Sequence, residues 1–266
     1  MNLREIRKKY EEGQPLSMLT AYDASMASLL QEAGVDLLLV GDSLGNVVLG
    51  HETTLTVTLP QMIHHGAAVV RGAPRSFVVV DMPFGACRTT DVALDSAVQI
   101  LNQTGAQAVK LEGGHSFAPT VARLVDLGIP VMGHIGLMPQ SVHQIGGYRM
   151  HGKSQDEITY LLESANALEK AGAFALVLEC VVPELAREIT ESIRIPTIGI
   201  GSGAGCSGQV LVINDLLGLG TRPVPKFVRP TADLAPLIRS AVSTWIQSLP
   251  PPAPSSVLPA PEREAR

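Results

Sequence analysis

The sequence of 266 residues has few cysteines and no excess of basic residues, and each shortage excludes a class of protein. Its three cysteines, Cys87, Cys180 and Cys206, lie far apart and form no CxxC pair. This spacing argues against a disulfide framework or a zinc site and favours a reducing interior. Lysine and arginine together number 20 against 25 acidic residues, which gives a formal net charge of -5. No basic stripe of the kind that binds nucleic acid is present.

Long apolar segments are also absent. No run of residues is apolar enough to span a membrane. The amino terminus, MNLREIRKKYEEG, has no apolar signal core, and its acidic residues are atypical of a transit peptide. We therefore expect a cytoplasmic protein that binds neither nucleic acid nor a membrane.

The sequence does have a series of short apolar runs that each end in a titratable residue. The segment LLLVGDSLG reaches Asp42 after four apolar residues, and the same pattern ends in FVVVD at Asp81, AVKLE at Glu112, VMGH at His134 and LVLE at Glu179. An unbroken apolar run is typical of a parallel strand buried on both faces. Chemistry in parallel α/β barrels lies just past the carboxyl ends of such strands. Five of these endings in succession predict a functional site.

Strand and helix patterns alternate along the chain. Strands are predicted at 16–20, 36–41, 76–81, 108–112, 131–134, 175–179 and 197–201, with a weak eighth strand at 225–228. Helices are predicted at 2–12, 24–33, 60–71, 90–104, 116–127, 154–171, 183–192 and 232–248, with a short one near 209–217. Eight strand-helix units close most simply into a (β/α)8 TIM barrel, and a doubly wound open sheet is the lesser alternative. The helix at 2–12 would cap the bottom of the barrel.

Two further segments stand outside this alternation. Residues 135–153 form a long connection rich in glycine, histidine and tyrosine, which is read as a functional lid or, alternatively, as an ordinary surface loop. Residues 249–266 are rich in proline, alanine and serine and have no apolar periodicity. We expect them to be a disordered tail. Residues 1–248 would then be a single catalytic barrel.

The carboxylates at the strand ends predict a metal ion. Asp42, Asp81, Glu112 and Glu179 face one cation, Lys110, so the local sum is -3. Crowded buried anions need a counter-cation or protonation. Oxygen ligands without thiolates suit Mg2+. Either aspartate alone would more often be a cap or turn residue at a strand-to-helix junction, but together on adjacent strands they favour a metal site.

The remaining candidates each have two interpretations. Glu179 lies on the most apolar strand and is a candidate proton acceptor near neutral pH, but it could instead be a buried partner of Lys110, which shares a strand face with Glu112. Considered alone, His134 would more often be a hydrogen-bonded core histidine than a catalytic residue. Ser43 either caps the following turn or donates to a bound anion. Cys180, out of phase with Glu179, is expected to be inert core.

Ten segments together resemble the ketopantoate hydroxymethyltransferase family, in order and in spacing. They are MLTAYD (18–23), VGDSLG (40–45), VDMPF (80–84), VKLEGG (109–114), GHIGLMPQS (133–141), GGYRMHG (146–152), LVLEC (176–180), IGIGSG (198–203), GQVLV (208–212) and PKFV (225–228). The resemblance implies a (β/α)8 barrel that binds Mg2+ and transfers a one-carbon unit from 5,10-methylenetetrahydrofolate to 3-methyl-2-oxobutanoate, giving ketopantoate for pantothenate and coenzyme A. It also implies a homo-oligomer, commonly a decamer.

The resemblance also assigns roles to the candidate residues. Asp42 and Asp81 would bind the metal directly, Glu112 would belong to its shell, and Glu179 would be the catalytic base. The substrate-binding set would be Asp42, Ser43, Asp81, Lys110 and His134.

Two alternatives remain open. One is another Mg2+-dependent barrel enzyme acting on 2-oxoacids, of the phosphoenolpyruvate mutase and isocitrate lyase type. The other is a catalytically silent metal-binding barrel, which would be expected to have lost part of this set. The chain departs from the usual family pattern at Asn46, Thr56, Met138 and Ser207. None of these positions carries a proposed catalytic group, and the departures concern the loops on the folate side.

Overall fold

The computed structural model describes residues 1–145, 149–220 and 223–250 of the chain. Eight parallel strands form a closed barrel in sequence order, as the sequence predicts, and β1 pairs with both β2 and β8. An open doubly wound sheet is therefore excluded. The strands are β1 (Leu16–Thr20), β2 (Leu37–Val40), β3 (Phe77–Asp81), β4 (Ala108–Glu112), β5 (Val131–Gly136), β6 (Ala175–Glu179), β7 (Thr197–Ile200) and β8 (Gly208–Leu211).

Helices surround this barrel and connect its strands. They are α1 (Leu3–Glu11), α2 (Ala24–Glu32), α3 (Leu44–Val47), α4 (Leu59–Gly72), α5 (Thr90–Thr104), α6 (Ala118–Asp126), α7 (Val142–Ile145), α8 (Gln155–Lys170), α9 (Pro183–Ser192), α10 (Ile213–Leu216) and α11 (Leu234–Gln247). Local chemistry sets several of their ends. The α4 helix starts at a capping box between Thr58 and Gln61, and α5 stops at Gly105, whose φ of 76° suits glycine. None of the described helices is long and apolar enough to cross a membrane.

Side-chain alternation along the strands divides the apolar residues into two layers. On β3, Val78 and Val80 pack outward against the helices, whereas Phe77 and Val79 fill the barrel. The interior layer also contains Ile6 of α1, which is buried. The amino-terminal helix thus closes the bottom of the barrel, as predicted.

The eighth strand differs from the prediction. It is β8, Gly208–Leu211, inside the segment predicted as a short helix, and only α10 of that helix forms. The predicted strand at 225–228 is instead a turn in which the Val228 N–H donates to the Pro225 carbonyl at 2.9 Å. Closure requires a strand between β7 and β1, and Gly208 fits there because a Cβ atom would overlap the Leu16 carbonyl. Sequence periodicity carries no such long-range requirement.

The long connection after β5 has structure of its own. It contains a 3-10 turn, Pro139–Ser141, followed by α7. Residues 146–148 of the predicted lid lie outside the described residues, as does the predicted tail from residue 251 onward.

The last described helix, α11, has no buried residue, and its larger apolar side chains are exposed: Leu237, Ile238, Val242, Trp245 and Ile246.

Candidate active site

The barrel brings the predicted residues of four strands together at its carboxyl end. Asp81 of β3, Lys110 and Glu112 of β4, His134 of β5 and Glu179 of β6 all occupy inward-facing positions, in phase with the interior apolar residues of their strands. Strand register makes two pairs direct neighbours, since Asp81 is opposite Lys110 and Glu112 is opposite His134. The sequence pattern placed these side chains on one face, and the closed barrel makes that face a single pocket.

Lys110 and Asp81 form a buried ion pair in this pocket. The Nζ atom of Lys110 lies 2.7 Å from Oδ1 of Asp81, and the two side chains are 5% and 3% exposed. The second oxygen of Asp81, Oδ2, accepts the backbone N–H of Asp42 at 3.0 Å. The ion pair therefore also connects the ends of β2, β3 and β4.

His134 lies between Lys110 and Glu179. Its Nδ1 is 3.4 Å from Nζ of Lys110 and 3.6 Å from Oε1 of Glu112, while its Nε2 is 3.2 Å from Oε2 of Glu179 without a hydrogen bond formed. An ammonium can only donate, so Nδ1 is the acceptor and Nε2 carries the hydrogen that faces Glu179. Burial and the charge of Lys110 lower the pKa of His134, which keeps the ring neutral.

Asp42 is joined to the opposite side of the pocket by a residue that was not among the predicted site residues. The side-chain amide of Gln140 donates to Oδ2 of Asp42 at 2.8 Å and to the Met82 carbonyl at 3.0 Å. The backbone N–H of Gln140 donates to Oε2 of Glu112 at 3.0 Å. Gln140 lies in the segment GHIGLMPQS, but nothing in its local pattern indicates contacts with two other strands.

Ser43 sits beside a second residue missed by the sequence analysis. Its Oγ is 2.8 Å from the hydroxyl of Tyr22, a buried residue that follows β1. A Cβ atom at Gly41 would lie 2.8 Å from the same Oγ, so glycine permits this serine to turn inward. The Tyr22 carbonyl is in turn 2.7 Å from Nδ1 of His65 on α4. The Ser43 hydroxyl is thus held in place at the pocket.

Glu179 is the most accessible of the pocket carboxylates that form ion contacts, with 16% of its side chain exposed. Cys180 follows it with a φ of 49°, the only described non-glycine residue with a positive φ. This turn ends the strand alternation, so Val181 packs in the outer layer. Cys180 itself is buried, and burial raises the pKa of its thiol to about 11, in agreement with an inert cysteine.

The pocket is electrostatically unbalanced. Burial, followed by the charge of Asp81, raises the pKa of Asp42 to about 7, and burial followed by Asp42 raises the pKa of Glu112 well above its usual range. Burial alone would lower the pKa of Lys110, but the carboxylates of Asp81 and Glu112 outweigh it and raise that pKa. The chain supplies more buried carboxylate than one ammonium can offset. Such a pocket needs either an additional cation or protonation of a carboxylate.

The donor set of the pocket suits a hard cation, but it is no preformed cage. Asp42, Asp81 and Glu112 offer only oxygen atoms, the ligands that Mg2+ prefers. In the three described ranges of the chain, no three His, Cys, Asp or Glu side chains are grouped so as to hold a metal ion. Protein sites for Mg2+ usually supply one or two carboxylates and leave the other positions to water and substrate. The residues therefore fit a partly open Mg2+ site.

The fold and the pocket define a (β/α)8 barrel with a buried cluster of carboxylates, one lysine and one histidine at the carboxyl ends of its strands. A family model described as ketopantoate hydroxymethyltransferase matches residues 1–250. The chain belongs to this family of transferases, which act in pantothenate biosynthesis.

Relatives within the family are similar over nearly the whole chain. The chain is 51% identical over 263 residues to the 3-methyl-2-oxobutanoate hydroxymethyltransferase of Heliobacterium modesticaldum, with 98% of this chain and 94% of that protein covered. It is 54% identical over 251 residues to the enzyme of the same name from Carboxydothermus hydrogenoformans, with coverage of 94% and 91%.

Solved structures share the fold at low sequence identity. A phosphonopyruvate hydrolase in complex with oxalate and Mg2+ aligns with a TM-score of 0.61 at 10% identity and covers 92% of this chain and 97% of that one. A 2,3-dimethylmalate lyase, a member of the phosphoenolpyruvate mutase and isocitrate lyase superfamily, aligns with a TM-score of 0.60 at 16% identity, with coverage of 97% and 92%. At these identities the likeness concerns the fold alone.

Proposed function

We propose that the chain transfers a hydroxymethyl group from 5,10-methylenetetrahydrofolate to 3-methyl-2-oxobutanoate, giving 2-dehydropantoate (ketopantoate). Family membership supports the proposal. The observation that carries it is the meeting, in one buried pocket, of a cation for the substrate carboxylate, Lys110, and a partly accessible carboxylate, Glu179, with His134 between them.

The reaction begins with binding of the 2-oxoacid. Lys110 would meet the substrate carboxylate, and Ser43, oriented by Tyr22, would donate a second hydrogen bond. Asp42 and Asp81 would hold Mg2+, with Glu112 in its shell. Held there, the ion would supply positive charge that offsets the charge of an enolate. The phosphonopyruvate hydrolase of similar fold forms a complex with oxalate and Mg2+, and oxalate has the same pair of adjacent oxygens as a 2-oxoacid.

Glu179 then acts as the base. It accepts the proton from C3 of the substrate, and the electron pair of the broken C–H bond enters the enolate. The Nε2 atom of His134 lies 3.2 Å from Oε2 of Glu179, so a small rotation of either side chain would form a hydrogen bond, through which His134 would orient the base; His134 would also orient the substrate oxygens. Because His134 is buried and neutral, it adds no competing cation to the site.

Carbon–carbon bond formation completes the transfer. A C–C bond forms between the enolate carbon and the folate methylene, and water forms the C–O bond of the new hydroxymethyl group. Both C–N bonds of the methylene break, and the two folate nitrogens take up the proton removed from C3 and one proton of the water, which gives tetrahydrofolate.

We also propose that the chain works as a homo-oligomer, with a decamer as the state implied by the family resemblance. The exposed apolar side chains of α11, among them Leu237, Ile238 and Trp245, support association between copies. Light scattering coupled to size exclusion would measure the mass of the particle. A monomer at micromolar concentration would overturn this part of the proposal.

One incubation tests the activity. Protein, 3-methyl-2-oxobutanoate, methylenetetrahydrofolate and Mg2+ should yield ketopantoate, with no product when either the folate or the metal is omitted. Two other outcomes identify the alternatives. Turnover of a 2-oxoacid without folate indicates an enzyme of the mutase and lyase type, and binding of Mg2+ without turnover of any 2-oxoacid indicates a silent barrel.

A further inference from the structure

Gln140 occupies an unusual place in the pocket because one residue bonds to the ends of three strands. Its side-chain nitrogen bonds to Asp42, which follows β2, and to the carbonyl of Met82, which follows β3. Its backbone N–H bonds to Glu112, the last residue of β4. Gln140 itself lies in the 3-10 turn after β5. It therefore connects four neighbouring elements of the barrel mouth.

The contacts fix the orientation of the amide. Both side-chain partners, a carboxylate and a carbonyl oxygen, can only accept hydrogen bonds, so the nitrogen and not the oxygen of the amide must face them. An NH2 group has two hydrogens, and two acceptors lie at 2.8 and 3.0 Å. The donor capacity of the group matches its partners.

Gln140 is electrically neutral, and this neutrality matters as much as its contacts. The cation of the pocket, Lys110, is paired with Asp81 at 2.7 Å, whereas Asp42 and Glu112 receive the neutral donors of Gln140. A lysine or arginine at this position would neutralise the two carboxylates and repel a metal ion. A neutral donor orients them and leaves their negative charge in place.

Each bond uses one oxygen of its carboxylate. Gln140 bonds to Oδ2 of Asp42 and Oε2 of Glu112, so Oδ1 of Asp42 and Oε1 of Glu112 receive no hydrogen bond from it. Two carboxylates from different strands are thereby presented in single-oxygen form, the arrangement that a small octahedral ion with water and substrate ligands needs.

We propose that Gln140 is a positioning residue that aligns two carboxylates around one Mg2+ ion: Asp42, a proposed direct ligand, and Glu112, proposed for the shell of the ion. The inference deepens the proposed function and rests on it. Gln140 makes no contact with the reacting atoms and acts through the two carboxylates. Hydrogen-bond partners of metal ligands typically change metal affinity by about 10- to 100-fold when they are removed.

The test compares Mg2+ binding by full-length parental protein, Gln140→Met and Gln209→Met, measured by isothermal titration calorimetry without substrate. Gln140→Met removes both side-chain donors at similar volume and keeps the backbone bond to Glu112. Gln209 is the matched control, because it is an exposed glutamine on β8 whose amide donates to the Gly203 carbonyl at 3.0 Å, outside the pocket. We expect Gln140→Met to raise the Kd for Mg2+ by about 10-fold or more and Gln209→Met to leave it unchanged.

Kinetics separate positioning from general weakening of the fold. In Gln140→Met the Mg2+ concentration for half-maximal activity should rise with the Kd, while kcat at saturating Mg2+ falls much less. Should Gln140→Met fail to fold, Gln140→Asn serves instead, since its amide is one methylene too short to reach both Asp42 and Met82. It should weaken Mg2+ binding in the same direction.

Each outcome has one meaning. Unchanged Mg2+ affinity in a folded Gln140 variant, with normal binding by the parental protein, overturns the role of Gln140 and leaves the proposed function standing. Equal weakening by Gln140→Met and Gln209→Met also overturns it. Absence of Mg2+ binding by the parental protein overturns the metal part of the proposed function and the inference with it.

Discussion

The ammonium of Lys110 and the carboxylate of Asp81 form an ion pair at 2.7 Å inside the barrel, across the register of β3 and β4. Both side chains are almost completely buried. Removal of one partner from a buried pair leaves an uncompensated charge and typically costs about 3–5 kcal/mol of stability. The pair is therefore structural as well as a candidate for substrate binding, and a variant can separate the two roles.

Lys110→Met should lower the free energy of unfolding by about 3–5 kcal/mol, because Asp81 loses its buried partner. The double variant with Asp81→Asn in addition should recover part of that loss, since no unpaired charge remains. It should not recover ketopantoate formation, because the cation for the substrate carboxylate is still absent and the carboxylate of Asp81, a proposed Mg2+ ligand, is lost as well. Urea unfolding and the activity assay measure the two effects. Recovery of activity together with stability would show that Lys110 is only a structural counter-charge.

Glu179→Gln keeps the size of the side chain but cannot accept a proton at neutral pH. Exchange of the substrate C3 proton with deuterated water should fall by about 10²- to 10⁴-fold, the usual contribution of a positioned base. Binding of Mg2+ should persist, since Asp42, Asp81 and Glu112 are unchanged. Proton NMR follows the exchange without folate. If exchange continues at the parental rate but no ketopantoate forms, Glu179 acts in the one-carbon transfer and not in enolisation. His134 would then be the next candidate for the base.

Gly136→Ala should lower the stability of the fold more than alanine at most other glycine positions. Gly136 has a φ of 96°, and a Cβ atom there would overlap the backbone carbonyl of Glu179. Gly34 is a matched control, because its φ is 83° and a Cβ atom there would meet nothing within 4 Å. Gly34→Ala should cost about 1–2 kcal/mol from backbone strain alone. Gly136→Ala should cost about 3 kcal/mol or more, since overpacking adds to the strain.

Urea unfolding of the two variants gives the comparison, and the activity of Gly136→Ala reports on Glu179. Equal stability of the two variants would mean that the backbone at Glu179 moves aside without cost.

Asp36→Asn should reduce stability in a pH-dependent way. Burial alone would raise the pKa of Asp36, but hydrogen bonds from Lys9 and from Ser17 outweigh it and lower that pKa. The carboxylate is thus stabilised in the folded chain. This contribution is fully present above the unfolded-state pKa of about 4 and is lost as the pH falls through the lower folded-state value.

Thermal unfolding between pH 7 and pH 3 measures the effect. The difference in Tm between parental protein and Asp36→Asn should be largest at pH 6–7 and should shrink below about pH 4. Asp126→Asn is the control, because Asp126 pairs with Arg123 at the surface, where such pairs contribute little. A difference for Asp36→Asn that stays constant with pH would assign the loss to packing instead of charge.

The sequence by itself determined the barrel and the inward face of the site. Side chains alternate in direction along each of the apolar runs, which places Asp81, Lys110, Glu112 and Glu179 on the same side of their strands as the interior residues, and strand position fixes them at one end. The structure confirms the barrel and brings these side chains together. Their roles in metal binding, substrate binding and catalysis stay predictions for the experiments above.

Tertiary structure decided what depends on contacts distant in the chain. Gly208–Leu211 is only four residues long and one of them is an exposed glutamine, so its pattern is weak, and it becomes β8 because the gap between β7 and β1 must be closed. The role proposed for Gln140 likewise depends on its hydrogen bond to Asp42, which is 98 residues away in the sequence. Periodicity reports on which face a residue occupies. It does not report which strand ends a loop residue reaches, because that distance is set only when the barrel closes.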